Sequence, residues 1–191
     1  MLGAAICLGA CSDHRASAAP PSRPASHVDT IVPRAEALRR FQATAHPADT
    51  LAGGERSRDA LVRGFVRALE TRDTVRLSRL ALDRDEFAYL YYPTAPQGLP
   101  PYELSPDLFW FTLEQGSAKG LRRALDTRSG RPLGYVGYRC DAKPSHEGRN
   151  VVWGPCAVRY RRGNRTEEER LFGLIIEREG RFKFVSYANK L

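Results

Sequence analysis

The hydrophobic period of this chain changes once along its length, and that change constrains the fold more than any other feature. Up to residue 126 the apolar residues recur at helical spacing, and from Leu133 onward they alternate as strand residues do. Leu61, Val62, Phe65, Val66, Ala68 and Leu69 make one apolar stripe, with Arg58, Asp59, Arg63 and Arg67 on the other side, the pattern of a packed amphipathic helix. A second helical stretch runs from Thr74 through Val75, Leu77, Leu80, Leu82, Phe87 and Leu90, and Pro93 stops it. Five prolines from Pro93 to Pro106 impose an extended loop, after which Ser105-Pro106-Asp107 opens a third helix that ends near Asp126. Gly116 and Gly120 within that helix either interrupt it or let another element approach closely.

After the change of period, Leu133 to Cys140 and Val151 to Arg161 read as strands, with Gly154-Pro155 set to break or bulge the ladder. Gly163-Asn164 and Glu179-Gly180 each stand where a two-residue hairpin turn belongs. The first turn places Arg159 opposite Glu168; the second places Ile175 opposite Phe184 and Leu174 opposite Val185. Both faces of the last hairpin then carry apolar side chains and need a cover, the helices on one face and a partner subunit on the other. The class is therefore α+β, with N-terminal helices packed on a C-terminal antiparallel sheet of about four strands. The domain is expected over residues 55–191, because Gly53-Gly54 marks a break. Ahead of it, residues 11–54 read as a Pro/Ala/Ser-rich tether with a short helix between Thr30 and Ala45.

Leu2 to Gly9 form a short apolar run, and Leu8-Gly9-Ala10-Cys11 resembles a bacterial lipobox, although no Lys or Arg precedes the run. The resemblance implies that residues 1–10 are a signal peptide and that the Cys11 thiol takes a diacylglycerol and becomes the new N-terminus. The expected location is the cell envelope, on a membrane anchor facing the periplasm, and Ser12 favours the outer membrane. Cysteine parity agrees: Cys7 leaves with the signal peptide, Cys11 is acylated, and Cys140 and Cys156 remain as an even pair. In an oxidising envelope they are expected to be bridged, and closing a loop of about fifteen residues contributes about 3 kcal/mol in the chain-entropy picture.

Composition excludes several function classes. The net charge is +8, yet only four of the thirty cations are Lys, and the arginines are spread through helices and strands with Asp and Glu among them. Nucleic acid is therefore not expected as a partner, while a basic surface facing anionic lipid or polymer suits an exported protein. His14, His27, His46 and His146 show no helical pairing and there is no Cys-x-x-Cys, so no metal is expected. A Gly-x-Ser-x-Gly elbow and a glycine-rich phosphate loop are absent, and no motif calls for a cofactor.

Helices first and an antiparallel meander last, over about Glu55 to Leu191, resembles the nuclear transport factor 2-like superfamily. That cone-shaped fold is shared with ketosteroid isomerases and the polyketide-cyclase type called SnoaL. The resemblance implies a curved sheet enclosing a pocket with the helices, and a homodimer through the outer sheet face. An enzyme of the isomerase, cyclase or hydrolase kind would use Asp85 or Glu86 as acid or base beside Tyr89 or Tyr92, although an acidic run containing Arg84 is more simply a solvated face. Tyr89, Tyr92, Trp110 and Trp153 are the aromatic pocket candidates, each more often core than pocket, and Arg159 could meet an anionic ligand or Glu168. The reading favoured by the residues is a non-catalytic envelope lipoprotein that binds a small apolar or weakly anionic ligand, or another envelope protein.

Overall fold

Ser57, Asp73, Asp83 and Ser105 each turn a side-chain oxygen onto a free amide of the helix that follows, and these caps set where the helices begin. The computed structural model describes residues 32–140 and 143–188; Cys11 and the expected signal peptide, 1–10, lie outside them. Five helices are described: α1 (Arg34–Gln42), α2 (Arg58–Glu70), α3 (Thr74–Leu80), α4 (Arg84–Glu86) and α5 (Pro106–Arg128). α4 continues as a π-helical turn over Phe87–Tyr91, and a 3-10 turn at Pro96–Gly98 lies in the proline-rich loop. No helix among the described residues is long and apolar enough to cross a membrane.

The stretch expected as one helix from Thr74 to Pro93 is two. Ala81 leaves the helix to bridge Phe184, and the Leu82 amide donates to the Phe184 carbonyl at 2.9 Å. Asp83 then restarts the helix through a reciprocal capping box with Glu86. On α5, close approach prevails over interruption: a Cβ at Gly120 would overlap the Tyr187 carbonyl, so the C-terminal tail lies directly on the helix there.

Seven strands follow: β1 (Tyr135–Cys140), β2 (Ser145–Glu147), β3 (Asn150–Trp153), β4 (Cys156–Arg162), β5 (Arg165–Glu169), β6 (Ile175–Arg178) and β7 (Arg181–Phe184). They pair antiparallel in two sheets, β1-β4-β5 and β2-β3-β6-β7. The predicted run from Val151 to Arg161 is divided at Gly154-Pro155, where Pro155 has no N–H for the ladder and Gly154 adopts φ 148°. The expected register is observed: Arg159 pairs with Glu168 and Ile175 with Phe184, and the Val185 amide donates to the Leu174 carbonyl. Glu179 and Gly180 both have positive φ, as the tight hairpin requires. Cys140 and Cys156 are directly paired on β1 and β4 and form a disulfide.

Two cores lie on either side of the β6–β7 hairpin. Phe65, Leu69, Leu77, Phe172, Ile175 and Phe184 belong to the first, which packs α2 and α3 on the sheet. Phe41, Leu51, Phe87, Tyr91, Val152, Ile176 and Val185 belong to the second. The hairpin's second cover is therefore the chain's own α1 and π-helical turn, where a partner subunit was expected. The domain boundary moves for the same reason. The compact unit begins at Val32, not at Glu55. Phe41 and Leu51 are 2% and 1% exposed, and at about 1.5–3 kcal/mol per buried large apolar side chain this segment cannot be a solvated tether. Gly53-Gly54 is a turn rather than a break, since Glu55 and Phe182 exchange backbone hydrogen bonds of 3.0 and 2.8 Å immediately after it.

Candidate functional site

A cleft of about 310 Å³ opens between α3, the Ala81–Arg84 corner and the middle of α5. α5 presents Trp110, Leu113, Glu114, Ser117, Ala118 and Leu121 to it, spaced three and four apart so that they share one helical face. Val185, Tyr187 and Leu82 supply apolar surface from the tail and the corner. The polar groups are few. Ser117 Oγ accepts from the Tyr187 amide at 3.0 Å, and Tyr187 donates its hydroxyl to the Leu77 carbonyl at 2.7 Å, so both hold the walls together. Arg84 lies with its guanidinium 4.1 Å above the Phe41 ring and donates through Nη2 to Thr44, while its buried Nε has no hydrogen-bond partner. Asp83 and Glu114 stand at the same cleft.

Two other surface cavities are lined mainly by charged residues. A groove of about 510 Å³ on α2 and α3 is lined by Glu55, Arg63, Arg67, Asp73 and Arg76, several of them already ion-paired. Another of about 220 Å³ is lined by Arg128, Arg131, Arg161 and Arg162. Among the described residues no group of three or more His, Cys, Asp or Glu is placed to hold a metal.

The sequence-predicted residues do not converge. Trp110 lines the cleft, but Tyr89 and Tyr92 do not. Tyr92 is buried against Phe87 and Phe109 and donates to the Leu104 carbonyl at 2.8 Å; Tyr89 donates to the Gln42 carbonyl at 3.3 Å. Both tyrosines fill the second core around Phe87. Trp153 belongs to the other sheet face, with its ring 5.8 Å from Phe182 and under the Arg58 guanidinium. Arg159 meets Glu168 at 3.3 Å on the surface.

The two acidic candidates have separate fates. Asp85 is held at the surface by the His46 amide at 3.0 Å and ring nitrogen at 3.2 Å. Glu86 is 1% exposed and accepts from three donors: the amides of Ala52 and Asp83 at 2.7 and 3.1 Å and Lys183 Nζ at 2.8 Å. Burial pushes its carboxyl above the usual carboxylate range, while the Lys183 ammonium and the Asp83 amide pull it back. A carboxylate so engaged ties α4, the Leu51–Ala52 turn and β7 together and is closed off from solvent. Lys183 was missed by the sequence reading. Its signal was a lone cation between Phe182 and Phe184 in a hairpin apolar on both faces. The α5 face was also legible, as the Trp110, Leu113, Ser117, Leu121 spacing.

No family model matches the chain, and neither a curated protein nor a solved structure matches it.

Proposed function

We propose that this chain is an exported, lipid-anchored binding protein without catalytic activity. Its domain is a filled variant of the nuclear transport factor 2-like form, and the cleft beside α5 holds a small, largely apolar ligand with one hydrogen-bond-accepting end. The observation that carries the reading is the cleft itself, lined by the apolar side chains of Leu82, Leu113, Leu121 and Val185 together with Trp110. Few polar groups on a concave apolar surface are what small-molecule sites require, and about 310 Å³ is at the lower end of their range. The order of helices first and antiparallel strands last supports the family assignment. The bridged Cys140–Cys156 pair supports an oxidising compartment and so the reading of Cys11 as the lipidated residue. The isomerase alternative gains nothing from Glu86, whose carboxylate is buried and ion-paired with Lys183.

The chain has two tryptophans, so Trp153→Phe leaves Trp110 as the sole indole, excited selectively over the tyrosines. Titration with anilinonaphthalene sulfonate, an apolar ring system with one anionic end, is expected to quench Trp110 saturably. Ala118→Phe, which fills the cleft from α5, is expected to abolish the effect. Quenching that is unsaturable, or unchanged by Ala118→Phe, removes the ligand reading. For the anchor, wild-type protein is expected to partition into detergent and Cys11→Ser into water; a water-soluble wild type removes it.

A further inference from the structure

Where α5 ends, arginines from separate parts of the chain gather around one small cavity. It holds about 220 Å³, is lined by Arg128, Arg131, Arg161 and Arg162 together with Leu133 and Tyr160, and shares no lining residue with the cleft in the middle of α5. The carbonyl end of a helix favours cations, and Arg131 Nη2 donates to the Thr127 carbonyl at 3.3 Å. The loop after α5 lies against the end of β4: the Arg161 amide donates to the Gly134 carbonyl at 2.9 Å, and a Cβ at Gly134 would stand only 3.0 Å from the Arg161 carbonyl oxygen. Arg128 is fixed in place. Its Nε donates to Glu169 at 2.7 Å and its Nη2 to the Tyr160 hydroxyl at 3.0 Å, while Nη1 makes no hydrogen bond among the described residues. Arg162 shares the strand face of Tyr160 and reaches Glu167 at 3.4 Å. Arg165 stands directly opposite it across the Gly163-Asn164 turn, and like charges so placed repel. Arg161 alternates to the other face of β4, so its guanidinium is left out of the count. Four guanidinium groups, of Arg128, Arg131, Arg162 and Arg165, then face two carboxylates, of Glu167 and Glu169, a surplus of two. Arg131 and Arg165 have no carboxylate partner among the described residues. Glu70, which accepts from the Leu133 amide at 2.6 Å, is offset by Arg72, bonded to Ser129 at 2.8 Å on the same loop.

We propose that this cavity binds a phosphate group, held by Arg131, Arg162 and the free Nη1 of Arg128, with Arg165 adding charge beside it. Guanidinium forks meet phosphate oxygens two at a time, and Glu169 and Tyr160 fix Arg128 in advance, so that less side-chain freedom is lost on binding. An anion between Arg162 and Arg165 turns their repulsion into a shared attraction. A cavity of about 220 Å³ is too small to enclose a drug-sized molecule and suits a charged head group whose remainder stays outside. The surplus of two matches one phosphate rather than a polyanion. Tyr160, the one ring among the lining residues, is 4% exposed, so no nucleic-acid base can stack on it. A soluble phosphate ester and a lipid headgroup present the same chemistry to these arginines.

The test uses the full chain as Cys11→Ser, so that no acyl group contributes, and calorimetric titration with inorganic phosphate at constant ionic strength. Saturable binding at one site is expected in the millimolar range, and acetate under the same conditions is expected to give none. Arg131→Gln, which gives up a single hydrogen bond to a helix-end carbonyl, is expected to weaken binding by on the order of tenfold without changing the melting temperature. Arg131→Gln with Arg162→Gln is expected to remove it. Arg67→Gln with Arg79→Gln, the same charge change on α2 and α3, is expected to leave it nearly intact. Glycerol 3-phosphate and vesicles carrying phosphatidic acid then separate the sources. Binding of the soluble ester without pelleting assigns a small molecule, and pelleting that Arg131→Gln with Arg162→Gln abolishes assigns a lipid headgroup. No saturable binding of phosphate, equal binding of acetate, equal loss in the helix pair, or binding of neither ester overturns the proposal.

Discussion

The two sheets are interleaved along the chain and are covered differently. The sheet β2-β3-β6-β7 lies between two cores, with Ile175 and Phe184 in one and Ile176 and Val185 in the other. The sheet β1-β4-β5 has a core on one face and arginines on the other. Each sheet contains an ion pair, and the pairs look alike in distance: 2.8 Å for Lys183 with Glu86 and 3.3 Å for Arg159 with Glu168. They are not alike in consequence. Lys183 and Glu86 are 2% and 1% exposed, so each ion depends on the other for compensation, while water solvates Arg159 and Glu168 already. Cover rather than proximity decides what a pair of charges is worth.

The largest effect should come from breaking the covered pair. Lys183→Met leaves the Glu86 carboxylate buried without a counter-ion and is expected to cost about 3–5 kcal/mol in urea denaturation. Glu86→Gln in the same protein should recover most of that loss. A single-variant cost under about 1 kcal/mol would mean that the second core does not exclude water from the pair. Next comes the bridge in the half-covered sheet: Cys140→Ser with Cys156→Ser is expected to lose about 3 kcal/mol, read against the wild type without reductant.

A third change should stabilise the protein. Glu147 on β2 accepts from Ser145 through Oε1, but its buried Oε2 has no partner, and burial raises its carboxyl above the usual value. Because the folded value is the higher one, the contribution of this group is fully present below the ordinary carboxylate range and is lost as pH rises through the raised value. Glu147→Gln should therefore be more stable than the wild type by about 1 kcal/mol at neutral pH, with the difference vanishing near pH 4, followed by calorimetry. The smallest effect belongs to the exposed pair, where Glu168→Gln is expected to change stability by about 0.5 kcal/mol or less, and less still in high salt.

Much of the fold could be read locally. The helices α2 and α5, the strands and two of the hairpin registers follow from spacing and turn residues that act within a few positions of one another. The split of the predicted second helix was legible too, since Asp83 and Glu86 stand three apart as a capping box does. The candidate site was legible only in part. Trp110 was singled out for its aromatic ring, but nothing local separates it from Tyr92, which has the same chemistry and fills a core. Both rings pack on Phe87; the difference is that Trp110 also borders the cleft beside the corner at Ala81, while Tyr92 is fully buried.

From its residues alone, this chain determined its class, the order of its elements, the pairing of Arg159 with Glu168 and of Ile175 with Phe184, and an even pair of cysteines, because period and turn chemistry are properties of neighbours along the backbone. Tertiary structure alone decided that α1 belongs to the domain, that Glu86 is consumed by Lys183, where the cleft lies, and that arginines distant in sequence line one cavity. Those outcomes depend on which surfaces meet, and burial and charge density are set by everything that comes close in space, whatever its separation in the chain.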